Sequence, residues 1–362
     1  MTVSTMSDAG HLLTNDTPNW LLNGTLSGTT NTMIEAATLE NNSYEHEFSQ
    51  TSKTTLTVLI TMVTLLGLVG NTMVILIVAI YSDMHTLVNF SFANLALTDL
   101  TLLLLDGIPT AVDTIGLNVS AKLGCAIPIY LQYVVAEVTS LTLAFLSWDR
   151  YRLIVKPLQS LSTRSSKQIY LIMFLIWIAS FVIQIPTAFV PAVSPETGCN
   201  EFGQPWGESL FFTYATVTLY IIPLIVIIPC YTGIAISMTK KTSATQNEDS
   251  KRLAQRKKTI KWVFVVVLFY ILMWLPIHVV HLWMAFDPVV TSQTPLYIEL
   301  HTVANVLMFI NSSFNPYLYT LAGPSFRMHL KSIAYCCCCG LLVRRKTKEC
   351  LSRSDTSGST WM

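Results

Sequence analysis

The sequence predicts an all-α membrane protein: a seven-transmembrane helix bundle followed by a short amphipathic interfacial eighth helix. Three observations lead there. Only 12% of the 362 residues are charged while 52% are hydrophobic, against roughly 25% charged in a soluble domain. Apolar windows recur at about residues 55–81, 90–114, 126–148, 168–190, 209–238, 262–286 and 296–321, each longer than the ~20 residues that carry a helix across a bilayer. Twenty of the twenty-two Lys and Arg fall after windows three and five, at the ends of flanking helices, or in the C-terminal segment. Lipid offers the backbone no hydrogen bonds, so helices are the expected spanning form.

Residues 1–54 form the first expected unit. The leading 52 contain six acids and no Lys or Arg. They are rich in Thr and Asn, with sequons at Asn15, Asn23 and Asn41, which fits a disordered, glycosylated extracellular segment. Chance sequons in an Asn-rich stretch are the alternative. A fourth sequon, Asn118, lies in the connection after window two, whereas those at Asn89 and Asn311 fall at the inner end of one span and inside another and are discounted. No basic start with an apolar core precedes residue 55, so the first span is expected to act as its own insertion signal.

Residues 55–322 are the expected seven-span domain. Because positive residues stay cytoplasmic, the N-terminus belongs outside and the C-terminus inside a plasma membrane crossed several times. Cys125 starts window three and Cys199 lies after window four. Both are then extracellular, where disulfides persist, and their pairing would pin the second outer connection to the third span.

Residues 323–335 come next as an interfacial helix, with Phe326, Leu330 and Ile333 on one face and Arg327 and Lys331 opposite. Residues 336–362 are the expected lipidated cytoplasmic tail. Its Cys336, Cys337, Cys338 and Cys339 lack the spacers of a zinc site, and palmitoylation is the expectation. Beyond them, Ser352, Ser354, Thr356, Ser357, Ser359 and Thr360 are phosphorylation candidates or a merely solvated tail, and Thr360-Trp361-Met362 could add to the sheet edge of another domain.

Polar residues inside spans are costly and therefore functional candidates. Asp99 lies deep in span two, and Thr139, Asn311, Ser312 and Asn315 can face it. An oxygen-only set suits a sodium ion; an Asp that simply holds helices together is the alternative. Asp106, Asp113, Glu137 and Glu299, with Glu196, Glu201, Glu208 and Asp287, form an expected acidic mouth that would attract cationic ligands, or else a solvated rim. Gln132 lies five turns above Arg150 on one face of span three. Trp274, His278 and His281 share a face of span six, where lining a ligand pocket is favoured over metal binding.

These residues resemble the rhodopsin-like family of G-protein-coupled receptors over about residues 55–335. The family's motifs appear as Gly70-Asn71, Leu95-Ala96-Leu97-Thr98-Asp99, Cys125, Asp149-Arg150-Tyr151 followed by IVKPL, Trp177, Pro223, Tyr231, Trp274-Leu275-Pro276 and Asn315-Pro316-Tyr317-Leu318-Tyr319. Each motif alone is weak; their order, spacing and sidedness are specific. Departures are Arg256 where many members carry an acid, Tyr270 where Phe is commoner, Met273 before Trp274, and a second proline, Pro229, in span five.

The resemblance implies a ligand-driven switch and no enzyme. Asp149, Arg150, Tyr151, Leu158, Tyr231, Trp274, Pro276, Asn315, Pro316 and Tyr319 would carry it to a heterotrimeric G protein. Gln132, Tyr133, Glu201, Trp274, His278, His281, His301 and Asn305 would bind the ligand. An Asp for amines is absent at Gln132, as is a span-seven Lys for retinal, so a short basic or amidated peptide is favoured. The span-three pattern looks most like the galanin, allatostatin-A and kisspeptin receptor group. Arrestin and receptor kinases are the partners implied for the Ser/Thr tail; nucleic acid is not one. A receptor for a non-peptide ligand is the runner-up. A transporter is less favoured, because the chain has no repeated halves.

Overall fold

The computed structural model describes residues 29–113, 126–155, 166–189, 192–194, 198–200, 205–241, 250–287, 295–322 and 324–342. These residues form seven helical spans in chain order. Span one is Thr29–Ile80 and span two runs through Leu87–Leu102, a π turn at Leu103–Gly107, and Ile108–Asp113. Span three is Ala126–Val155 and span four is Ser166–Ile183 with a 3-10 turn at Ile185–Ala188. Span five comprises Pro205–Thr216, a π turn at Val217–Ile221, and Ile222–Lys241. Span six is Ser250–Phe286, span seven Pro295–Ala322, and the interfacial helix Pro324–Leu342.

Spans one, two, three, five and six each contain a stretch long and apolar enough to cross a membrane. The apolar part of span four, Gln168–Ile183, is shorter, and span seven carries a polar stripe of His301, Asn305, Asn311, Ser312, Ser313 and Asn315. On span one, Val58, Met62, Leu65 and Val69 are exposed at helical spacing. An outward stripe that is apolar reverses the pattern of a soluble helix and fits lipid contact. Hydroxyls inside the spans are returned to their own backbones, as in Thr72 to Leu68, Ser91 to Leu87 and Ser147 to Leu143, so no donor faces hydrocarbon unmet at these sites.

Three boundaries differ from expectation. The first helix begins at Thr29, so residues 29–54 are helical and continuous with span one. The interfacial helix continues to Leu342, so Cys336–Cys339 lie within it and not in a separate tail. A two-stranded antiparallel hairpin, β1 (Ala192–Ser194) and β2 (Gly198–Asn200), pairs Val193 with Cys199 between spans four and five. It is a small departure from an all-α chain, with backbone groups outside the spans finding partners in each other.

Span three occupies the centre, packed against spans two, four, five and six. Asn94 donates to Thr142 at 2.9 Å and accepts from Trp177 at 2.8 Å, tying spans two, three and four. Spans one and seven approach closely where Gly67 lies against Ser313. Asn71, from the GN pair, donates to the carbonyls of Gly67 and Ser312, both at 2.9 Å. At the inner end His329 stacks on Tyr81 and pairs with Asp83 at 2.9 Å, which docks the interfacial helix on the first inner connection.

Both π turns have a cause in the sequence. A proline lacks the N–H that would bond the carbonyl four residues earlier. Pro109 thereby strands Leu105, and Pro223 strands Leu219. Each carbonyl is satisfied from a neighbouring span: Gln132 donates to Leu105 at 3.3 Å and Tyr270 to Leu219 at 2.9 Å. One extra residue per π turn also rotates the helix on its C-terminal side by about 100° relative to the helix on its N-terminal side.

Candidate functional site

A cavity opens among spans two, three, five, six and seven. Five of the expected ligand-binding residues line it: Gln132, Tyr133, Trp274, His278 and His281. Leu102, Ile129, Ala136, Leu219, Ile277 and Met308 supply apolar wall. Mostly apolar walls with few convergent polar groups are the usual character of a ligand site. His301 and Asn305 stand behind that wall rather than in it. Asn305 Nδ2 is 3.2 Å from His301 Nδ1, and the His301 ring is 5.7 Å from that of His281. Glu201 lies outside the described residues.

Aromatic and imidazole rings form two runs, each of which reaches the cavity wall. Tyr133 meets Phe211 edge-on at 5.0 Å, Phe211 meets Phe212 at 5.5 Å, and Phe212 stacks on His281 at 4.3 Å. Tyr220, His278, Trp274 and Tyr270 form the second at 4.8, 6.1 and 5.5 Å. His278 also lies 3.3 Å from the Thr216 hydroxyl. The rings in the cavity wall, Tyr133, Trp274, His278 and His281, belong to spans three and six and pack on Phe211, Phe212 and Tyr220 of span five.

The acidic mouth needs correction. Glu137 is 1% exposed and accepts a hydrogen bond from Gln184 at 2.9 Å, while the same amide reaches Thr218 at 3.3 Å. It is a strut between spans three, four and five, not part of a rim. One residue per turn faces inward on each side of the central helix, and the alternation of small and apolar residues around Glu137 does not tell which. Asp106 is buried and lines the cavity, so it is a site residue that sequence reasoning put only in the mouth. Glu299 is exposed, as a rim requires.

Deeper in the bundle, Asp99 accepts from Asn315 Nδ2 at 2.8 Å. Ser312 lies beside it, although its Oγ is outside hydrogen-bond geometry. Asn311 accepts from the Trp274 indole at 3.1 Å, and Thr139 shares its hydroxyl with Thr98 at 2.7 Å. Buried Asn71 Oδ1 and Asn315 Oδ1 have no hydrogen-bond partner among the described residues. Asn315 and Ser312 thus adjoin Asp99, while Thr139 and Asn311 bond Thr98 and Trp274 instead; oxygen ligands with unsatisfied acceptors fit a hard monovalent cation. Among the described residues no cluster of three or more His, Cys, Asp or Glu forms a metal site.

At the C-terminal end of span three, away from the cavity, Arg150 and Asp149 are both buried and lie 3.4 Å apart. Tyr151 packs on span five, where a Cβ at Gly233 would come within 2.5 Å of its ring. Tyr231 adjoins Arg150 and Ser147 and meets Phe264 of span six edge-on at 5.0 Å. Tyr319 is fully buried and stacks on Phe92 at 4.1 Å. Pro276 and Pro316 fall inside their helices, where each removes a backbone hydrogen bond. Asp149, Arg150, Tyr151 and Tyr231 come together here; Trp274 and Asn315 belong to the layer above.

Several expectations fall on residues whose structure or side chains are not described: Leu158, Cys125 and the side chain of Cys199, Asn15, Asn23, Asn41 and Asn118, the side chains of Cys336–Cys339, and that of Arg256. Two functional features escaped the sequence. Tyr220 and Tyr270 donate reciprocally across spans five and six; the proline four residues beyond Leu219 was the available signal. The cavity position of Asp106 was announced in the same way by Pro109.

Comparison with known proteins agrees with this geometry. The 7 transmembrane receptor (rhodopsin family) profile matches residues 70–319. The chain is similar to galanin receptor type 1 of Homo sapiens, 33% identical over 75% of this chain and 78% of that receptor. It is similar to the KiSS-1 receptor of Homo sapiens, 31% identical over 74% and 71% respectively. The mesotocin receptor of Rhinella marina is 29% identical over 80% and 79%.

Proposed function

The chain belongs to the rhodopsin family of seven-transmembrane receptors, and from that premise we propose that it binds a short basic or amidated extracellular peptide and activates a heterotrimeric G protein. The observation that carries this is the cavity, whose ring-lined wall joins the helices that must move. Three relatives bear the names of receptors for galanin, KiSS-1 and mesotocin, which favours a peptide over the runner-up, a non-peptide ligand.

A peptide contacting Gln132, Tyr133, His278, His281 and, at the outer connection, Glu201 presses on Trp274. His301 and Asn305 hold His281 from behind. The Trp274 indole bonds Asn311, one turn above Asn315 and its partner Asp99, so displacement of Trp274 loosens span seven at Pro316. The same displacement moves span six at Pro276 and frees Arg150 for the G protein, with Tyr151, Leu158, Tyr231 and Tyr319 forming the receiving surface. A shift from 1:99 to 99:1 active requires about 5.5 kcal/mol of differential affinity.

Sodium would be held by Asp99, Thr139, Asn311, Ser312 and Asn315, and supplies a positive charge against the buried carboxylate. The Cys125–Cys199 disulfide would fix the outer hairpin over the cavity. In this reading the N-terminus is extracellular in the plasma membrane and carries glycans at Asn15, Asn23, Asn41 and Asn118. The cytoplasmic tail is palmitoylated at Cys336–Cys339 and engages receptor kinases and arrestin.

The test is guanine-nucleotide exchange on G proteins in membranes that carry the chain, against a panel of amidated neuropeptides. The expected result is peptide-dependent exchange that Arg150→Ala abolishes while peptide binding persists. Exchange that ignores every peptide would overturn the reading.

A further inference from the structure

Span five meets the last turns of span three at a glycine. Gly233 lies inside the helical stretch Ile222–Lys241, where only proline forms helix more poorly. A Cβ at that position would come within 2.5 Å of Tyr151 Cε2 and 3.0 Å of its Cδ2, with Cζ at 3.7 Å. Carbon atoms pack best at about 3.5–4.0 Å, so no side chain larger than hydrogen fits while the ring stays where it is. These three nearest atoms all belong to the Tyr151 ring. Gly67, by contrast, faces the Cα of Ser313 at 3.0 Å, the pattern of two helix backbones in close approach. The missing methyl of Gly233 makes room for one side chain.

A second observation concerns the neighbour of that side chain. Tyr151 follows Arg150 directly, and Tyr231, two residues before Gly233, adjoins Arg150 and Ser147. Span five thus engages Arg150 and Tyr151 separately, the first through a tyrosine and the second through a notch. A partly buried Tyr151 ring seated against span five restricts the turn of span three from which Arg150 projects. We infer that Gly233 is a positioning residue: its notch seats Tyr151 and so fixes the turn of span three that presents Arg150 to the G protein. The inference deepens the receptor reading and rests on it. A partner that meets an ordered turn avoids the cost of ordering it on binding. Because the Tyr151 ring can swing about its side-chain bonds, Gly233→Ala displaces the ring without parting the helices.

The test compares wild type, Gly233→Ala, Tyr151→Ala and the double variant in cell membranes. The probe is the most active member of the amidated neuropeptide panel, tritiated for binding without G protein and unlabelled for nucleotide exchange. Gly233→Ala is expected to lower exchange at saturating peptide about threefold to tenfold, with peptide affinity and surface display unchanged. In the Tyr151→Ala background the same substitution should add nothing, because the two residues act through one contact. Undiminished exchange in Gly233→Ala overturns the inference. So does a loss that follows peptide affinity or surface display, or one that recurs in the Tyr151→Ala background. If Tyr151→Ala gives no exchange, melting temperatures of the four proteins complete the comparison. Once the ring is gone Gly233→Ala should raise the melting temperature, since Ala is the better helix former; a fall there overturns the inference. A wild type that answers no member of the panel overturns the receptor reading, and this inference with it.

Discussion

Tyr220 and Tyr270 clasp spans five and six reciprocally. Tyr220 donates to the carbonyl of Ile271 at 2.9 Å, and Tyr270 donates to that of Leu219 at 2.9 Å. Each hydroxyl reaches the backbone next to the other tyrosine, so the two helices cannot separate here without losing both bonds. The clasp therefore holds spans five and six together at this level. Removing one hydroxyl costs about 1 kcal/mol, and Tyr270→Phe keeps the ring against Trp274. Ligand-independent nucleotide exchange in Tyr270→Phe is expected to rise about threefold to tenfold; an unchanged basal rate would remove the clasp from the switch.

Gln132 has two duties, satisfying Leu105 and lining the cavity. Gln132→Ala is therefore expected to shift peptide concentration–response curves rightward by about tenfold, in line with loss of one or two hydrogen bonds in a desolvated site. Surface display should stay near wild type, since only one backbone carbonyl loses its donor. Potency that does not move would take Gln132 out of the binding site.

Glu137 is buried and held by Gln184, so its role is structural. Glu137→Leu removes one of the two acceptors of the Gln184 amide and leaves it Thr218 alone, and is expected to destabilise the detergent-solubilised protein by about 1–2 kcal/mol. Glu137→Gln preserves the shape and one acceptor and should fall well inside that loss. Thermal unfolding of the two variants side by side measures the difference; equal melting temperatures would contradict the strut.

The sodium proposed at Asp99 would stabilise the protein by linkage, because a ligand bound only to the folded state raises its unfolding free energy. Replacing sodium chloride by N-methylglucamine chloride should lower the melting temperature of the wild type and leave Asp99→Asn unaffected. Equal responses in the two would exclude the site.

The spans and the order of the motifs were legible in the sequence because lipid imposes long apolar helices. The convergence of Asp99 with Asn315 was legible too, since few polar groups occupy the spans and they find one another. Glu137 was misjudged because depth along a helix is readable from sequence while the direction a side chain faces depends on its neighbours. Helix ends were less legible: the membrane sets a minimum length, but local propensity decides how far a helix runs past it, as at Thr29 and Leu342.

The sequence by itself determined that this chain is a seven-span receptor of the rhodopsin family, with an Asp149-Arg150 pair at one end of span three and a polar middle at Asp99. Only the tertiary structure decided where the carbonyls stranded by Pro109 and Pro223 would find donors. Those donors, Gln132 and Tyr270, come from other helices, and the rotation that each π turn introduces is what brings Asp106 and the tyrosine clasp into place. A proline announces that a backbone bond is missing; which side chain replaces it is set by packing between segments distant in sequence.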